Sequence, residues 1–227
     1  MTVIETDGLC RRFGRRWAYA RIGIRVEEGE KLLLFGSNGS GKTTLLRTFS
    51  TLLPPTSGEL RLFGQGVRGN AALLRQRIGY VSHRAGLYED LSAAENLLVY
   101  GRLFGRPLTK GEAADRLSAV GLVLRPEPVR TFSEGMRKRA ALAVLQLKDP
   151  GLVLLDEPFS ALDPNGMDDL SALIQEMKAT VVIASHQVER AAALCTRAVL
   201  LEGGQARWQG EASRAWAAWA AAQQEVV

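Results

Sequence analysis

Gly36-Ser37-Asn38-Gly39-Ser40-Gly41-Lys42-Thr43-Thr44 places glycines, hydroxyls and a lysine directly behind the apolar run KLLLF and ahead of LLRTFS. Residues 36–43 satisfy the spacing G-x-x-x-x-G-K-[ST], which is a phosphate-binding pattern when a strand precedes it and a helix follows. Backbone N–H groups of such a loop, with the helix N-terminus behind them, hold phosphate oxygens. Lys42 then reaches the outer phosphates of a nucleotide, and the Thr43 hydroxyl is a ligand for Mg²⁺. The competing reading is a glycine-rich turn that fits by chance, and the flanking strand and helix argue against it.

Leu152-Val153-Leu154-Leu155-Asp156-Glu157 is an apolar strand that ends in two carboxylates. In open α/β sheets the carboxyl ends of strands are where ligands bind. Asp156 offers the hard oxygen that Mg²⁺ prefers, and Glu157, one residue on, is placed to polarise an attacking water. Read alone, the pair is equally a strand end capped by solvated acids; read with the phosphate loop, it is the other half of a nucleoside triphosphate site.

These residues need elements to hold them. KLLLF is continuously apolar, as expected of a strand covered on both faces of a parallel sheet, and residues 43–51 read as the helix after the loop. The first thirty residues read as strand, basic turn RRFGRR, then strand, with period-two alternation in RIGIRVE. RIGYVS is a further strand. Between about 91 and 148 helical patterns dominate: SAAENLLVYGRLFG, TKGEAADRLSAVGL and SEGMRKRAALAVLQLK, the first two opening on capping-box spacing. Strands and helices then alternate through LVLLDEP, PNGMDDLSALIQEMK, TVVIASH, QVERAAALC and AVLLEGG. Alternation of this kind implies a mostly parallel, doubly wound sheet, into which the helical block is inserted.

The 227 residues and 46% hydrophobic content allow one large core. No apolar run approaches the roughly 20 residues of a membrane span, and MTVIETDGLCRRFG has neither a basic leader nor an apolar h-region, so a cytoplasmic setting is expected. Cys10 and Cys195 have no C-x-x-C partner, which speaks against a disulfide or metal framework. A net charge of +5 permits an anionic membrane or nucleic acid as partner without selecting either.

A third segment narrows the choice. Thr131-Phe132-Ser133-Glu134-Gly135-Met136-Arg137-Lys138-Arg139 opens a helix some twenty residues before the acid pair. Here the chain resembles the ATP-binding-cassette family, whose signature loop is commonly Leu-Ser-Gly-Gly-Gln followed by basic residues. The resemblance runs from residue 3 to about 210. It implies an α/β fold with a P-loop NTPase (RecA-like) core, a mostly parallel sheet, N-terminal antiparallel strands and an inserted helical subdomain. It also implies one nucleotide-binding domain over 1–227, with the core at about 1–82 and 150–210, the helical part at about 84–148 and a terminal helix at about 211–222. Ser133 and Gly135 match positions that contact the γ-phosphate across a head-to-tail homodimer. Phe132, Glu134 and Met136 depart from the pattern; Glu134 adds a negative charge near ATP and weakens the trans contact unless it points outward or pairs with Arg137 at helical spacing. Ser160-Ala161-Leu162-Asp163 resembles the loop that crosses the dimer interface. His186, ending the strand TVVIAS, resembles the switch histidine on the γ-phosphate, and Phe13 the aromatic that stacks on adenine, with Trp17 as its substitute.

The family commonly has glutamine where this chain has His83, and the resemblance gives His83 a place beside Mg²⁺, through a water. His83, the run VSHRAGLYEDLSAAENL and the irregular signature FSEGMRKR are similar to one subgroup, the ATP-binding subunit of the haem exporter in cytochrome c maturation. The expectation is an ATP hydrolase that uses ATP and Mg²⁺. Phe13, Gly36, Ser37, Asn38, Gly39, Ser40, Gly41, Lys42, Thr43, Thr44, Ser133, Gly135 and Asp163 would bind nucleotide; Thr43 and Asp156 would ligate Mg²⁺; Glu157, His186 and His83 would be catalytic. An integral membrane permease is the implied partner, with nucleic acid not expected, and the cytoplasmic face of the inner (cell) membrane the implied location. The alternatives are another ABC-2-type exporter, for drugs, lipids or polysaccharide, or a cassette ATPase acting on nucleic acid or ribosomes. Trp216 and Trp219 in the tail read as one face of a docked helix, or else as a membrane-surface or partner contact.

Overall fold

The computed structural model describes residues 1–82 and 86–224. In chain order it runs β1 (Thr2–Phe13), β2 (Arg16–Ile22), β3 (Arg25–Glu27), β4 (Lys31–Phe35), α1 (Lys42–Phe49), β5 (Ser57–Leu62), β6 (Gln65–Gly66), α2 (Ala71–Arg75) and β7 (Ile78–Val81). Then follow α3 (Ala93–Leu103), α4 (Lys110–Ala119), α5 (Glu134–Leu147), β8 (Leu152–Asp156), α6 (Pro164–Glu176), β9 (Thr180–Ala184), α7 (Val188–Ala192), β10 (Arg197–Glu202), β11 (Gln205–Glu211) and α8 (Ala215–Gln224).

The chain divides into two compact units, one of residues 1–80, 151–157 and 177–227, the other of 81–150 and 158–176. The sequence reading bounded the helical part at about 84–148; α6 groups with it as well.

The first unit carries two sheets. One is ordered β2-β1-β5-β6, with β3 also on β1, and the pairings β1–β2, β1–β3, β1–β5 and β5–β6 are antiparallel. The other is ordered β11-β10-β4-β9-β8-β7. Its central pairs β10–β4, β4–β9 and β8–β9 are parallel, and β10–β11 is antiparallel. Leu32, Leu33, Leu34 and Phe35 of β4 are all fully buried, and so are Val181, Val182, Ile183 and Ala184 of β9. This is why those strands read as continuous apolar runs rather than alternating ones. The RRFGRR segment is strand where a turn was expected: β1 continues through Phe13, Phe13 pairs with Arg16, and only Gly14 and Arg15 make the turn. The alternation in residues 21–27 holds in burial, although the strand breaks between Ile22 and Arg25.

The second unit packs α3, α4 and α5 around Leu97, Ala113, Leu117, Ala140, Ala143 and Val144. Both expected capping boxes form. Ser92 and Thr109 each accept from the N–H three residues on, and Glu95 and Glu112 return the bond to the cap N–H. Those carboxylates accept the cap backbone and hydroxyl donors, which holds both acids below the usual carboxylate range. At the C-terminus α8 docks on its own unit through Ala215 and Trp219, the latter against Phe35 at 6.2 Å between ring centroids. Trp216 lies off that face and is exposed. The two tryptophans therefore do not form a shared face.

Candidate active site

The loop from Gly36 to Gly41 joins β4 to α1, and its glycines answer to backbone geometry. Gly36 sits at φ 141°, and a Cβ there would lie 2.0 Å from the Leu201 carbonyl oxygen. Gly41 sits at φ 105°, and a Cβ there would lie 2.4 Å from the Ala18 carbonyl oxygen. Neither position admits a side chain. α1 then starts at Lys42 without a side-chain cap, and Leu45 N–H makes the first helical bond, to Gly41 O. The N–H groups of the first helical turn have no intrahelical acceptor, which makes this terminus an anion site.

Lys42 is buried and reaches back over the loop, its Nζ donating to Gly36 O at 2.8 Å and Ser37 O at 3.0 Å. Burial lowers the pKa of this amine, against the raising influence of Glu157 and Asp156. A phosphate brought to the loop supplies the negative charge that a buried ammonium needs. The Ser40 hydroxyl is also buried, with no hydrogen-bond partner among the described residues.

β8 delivers the two acids. The Thr43 hydroxyl donates to Asp156 Oδ1 at 2.9 Å, and the Tyr80 hydroxyl to Asp156 Oδ2 at 3.2 Å. A hydroxyl and a carboxylate oxygen this close form the hard-oxygen donor set that Mg²⁺ takes, so the residues present fit that ion. Tyr80 is the residue of IGYV whose phenol can orient Asp156, and no spacing in the sequence marks it, because the order β8-β7 in the sheet brings it to the acid. Burial, then the Asp156 charge, push the Tyr80 phenol up to about 12.

Glu157 follows at φ 51°, a left-handed conformation rare outside glycine. Its N–H donates to Ala184 O at 2.8 Å, so the β8–β9 pairing holds the strained residue in place. Its Oε2 accepts from Ser185 Oγ at 3.4 Å and from His186 N–H at 3.3 Å, and lies 2.8 Å from His186 Nδ1. The resemblance implies that His186 contacts the γ-phosphate; its ring nitrogen Nδ1 also lies against Glu157.

One hollow of about 470 Å³ is lined by Phe13, Arg16, Trp17, Ala18, Asn38, Gly39, Gly41, Lys42, Thr43, Thr44 and Glu157. Phe13 and Trp17 are each about half-exposed. Each ring carries a guanidinium over it, Arg11 at 4.6 Å from the Phe13 centroid and Arg12 at 5.4 Å from that of Trp17. Arg16 is a lining cation that the sequence reading missed. The hollow thus offers aromatic surface, phosphate donors and a carboxylate in one cavity.

Ser133, Gly135 and Asp163 belong to the other compact unit. Ser133 caps α5, accepting from Met136 N–H at 3.3 Å, and Asp163 Oδ1 accepts from Gly166 N–H at 3.1 Å. Glu134 pairs with Lys138, at 3.5 Å, rather than with the expected Arg137. His83 lies outside the described residues.

Residues 19–160 match the family model for the ABC transporter. The linearmycin resistance ATP-binding protein of Bacillus subtilis (strain 168) is 30% identical over 211 residues, covering 89% of this chain and 67% of that protein. The bacitracin transport ATP-binding protein of Bacillus licheniformis is 36% identical over 191 residues, covering 82% of this chain and 62% of that one. A solved dimeric ATP-binding cassette in a post-hydrolysis state with ADP and Pi superimposes with a TM-score of 0.83 at 23% identity, over 92% of this chain and 98% of that one.

Proposed function

Since the chain belongs to the ABC transporter family and is an ATP hydrolase of it, we propose that it powers an ABC-2-type exporter of a drug-like, lipid or polysaccharide cargo. Its place is the cytoplasmic face of the cell membrane, bound to an integral membrane permease. The observation that carries the nucleotide chemistry is the single hollow holding Phe13, Trp17, Lys42, Thr43 and Glu157. The names of the relatives, linearmycin resistance and bacitracin transport, favour the exporter and its class of cargo.

In this reading Phe13 or Trp17 stacks on adenine. Loop N–H groups and the Lys42 ammonium hold the β- and γ-phosphates. Thr43 and Asp156 would hold Mg²⁺, which would neutralise charge on the phosphates, and Tyr80 orients the Asp156 carboxylate through its hydroxyl. Glu157 accepts a proton from the attacking water, with Ser185 and His186 fixing its carboxylate. Phosphoryl transfer is mostly positioning and charge stabilisation, which a rigid strand end supplies. Ser133, Gly135 and Asp163 of a second copy complete each site in a head-to-tail homodimer.

A second reading, haem export for cytochrome c maturation, is favoured by His83 and the irregular signature FSEGMRKR. The test is purification of the chain from native membranes, followed by ATPase assays of the complex with bacitracin, linearmycin and haem. Stimulation by an antibiotic-type cargo supports the first reading, and stimulation by haem alone transfers support to the second. Tight, steeply salt-dependent RNA or DNA binding with no membrane partner overturns both.

A further inference from the structure

Lys138 is almost wholly buried, its side chain 4% exposed. Its Nζ donates to Ser160 Oγ at 2.8 Å and to the Ser160 carbonyl oxygen, and lies 3.5 Å from Glu134 Oε1. Glu134 opens α5, Lys138 is one turn on, and Ser160 begins the loop 160–163; all three lie in one compact unit. A second contact joins the same two segments, since a Cβ on Gly135 would lie 2.8 Å from Leu162 Cδ2. Ala161 sits between these anchor points at φ 54°, a strained conformation that needs its surroundings to persist.

A buried ammonium is costly unless a counter-charge and acceptors surround it. Glu134 supplies the charge, and Ser160 supplies two acceptors. We propose that Lys138 is a positioning residue, a buried cation that clamps the loop Ser160–Asp163 onto the signature helix, and that Glu134 is its counter-ion. Glu134, where the family commonly has glycine, therefore serves the clamp and adds no repulsion towards nucleotide. Ser160 follows Glu157 by three residues, so the clamp sets both the segment leaving the catalytic carboxylate and the loop offered to a second subunit. The inference rests on the ATPase reading above.

The two accounts of Glu134 predict opposite signs. If its carboxylate faced ATP, Glu134→Gln would relieve repulsion and raise turnover or lower KM. As counter-ion to Lys138, the same variant lowers kcat about tenfold while the Kd of the full chain for an ATP analogue stays within twofold. Lys138→Met lowers kcat at least as much, and the double variant Glu134→Gln/Lys138→Met is no worse than Lys138→Met alone. Hydrogen exchange without nucleotide supplies an arm independent of activity: the amides of 161–163 exchange faster in Glu134→Gln and in Ser160→Ala. Higher turnover in Glu134→Gln, independently multiplying effects, or unchanged exchange at 161–163 overturns the clamp. Should Lys138→Met fail to fold, Glu134→Gln and Ser160→Ala carry the test, and their effects must again be non-additive. A wild-type chain that binds no nucleotide sinks the ATPase reading instead, and leaves the exchange result to decide the clamp.

Discussion

Lys42 and Glu157 face the same cavity, but the chemistry asks different things of them. In the proposed mechanism Lys42 meets charge already present on the phosphates before reaction, so Lys42→Ala should weaken equilibrium binding of Mg-ATP. A charge-assisted hydrogen bond is worth about 1.5–3 kcal/mol, which corresponds to roughly 10- to 100-fold in Kd. Isothermal titration measures it, and unchanged affinity removes Lys42 from the site. In the same proposal Glu157 acts on a proton that moves only in the reaction. Glu157→Gln should leave nucleotide binding intact and cut turnover by about 10²-fold or more, as read by single-turnover kinetics. Two residues that hold these groups escaped the sequence reading, Tyr80 on Asp156 and Ser185 on Glu157. A tyrosine in an apolar strand and a serine beside a histidine carry no spacing that marks them; strand order brings them to the acids.

Among the elements, glycines separate into two kinds. Gly36 meets the Leu201 backbone, and Gly135 meets only the flexible end of the Leu162 side chain. Gly36→Ala should destabilise by at least the ~1–3 kcal/mol of backbone strain, before the clash with Leu201 adds to it, and thermal unfolding will show it. Gly135→Ala should keep the wild-type Tm, because Leu162 can turn aside, yet lose turnover if the backbone there approaches phosphate. Wild-type turnover in Gly135→Ala would remove that residue from the site. The caps of α3 and α4 give a pH dependence. Glu95 and Glu112 have folded pKa values below the ordinary carboxylate value, so their stabilisation is present above about pH 4.3 and is lost as pH falls through the folded values. Acid should therefore lower the protection of the first-turn amides, relative to their intrinsic exchange rate, in both helices, and Glu95→Gln should remove that dependence in α3 while leaving α4 as it was.

For the whole molecule, the proposed trans arrangement makes assembly depend on nucleotide. Glu157→Gln with ATP should elute as a dimer that persists, and a monomer with nucleotide bound would count against composite sites. The transporter reading implies that the segment 83–96 docks the membrane subunit, so charge reversal at Glu89 and Asp90 is expected to uncouple ATPase activity from that subunit. Asp90 pairs with Arg130, so reversing it would also disturb its own unit. Glu89→Lys is the cleaner variant. It should reduce stimulation of turnover by the permease and leave basal turnover unchanged.

Local chemistry in the sequence determined the phosphate loop, the acid pair, the two capping boxes and the alternation of strands with helices. Each depends on residues within about eight positions of one another, so spacing alone carries the signal. The extent of β1 through RRF, the placing of Trp219 but not Trp216 against the core, the partner of Glu134 and the seat of His186 on Glu157 were decided by tertiary structure. The physical reason is common to them. A strand continues where a neighbour offers hydrogen bonds, as β2 does to β1. A charged side chain turns to whichever opposite charge packing has buried, and for Glu134 that is Lys138. The sheet order β4-β9-β8 brings residues 43, 156, 157 and 185 together from three distant segments, and linear spacing does not encode that meeting.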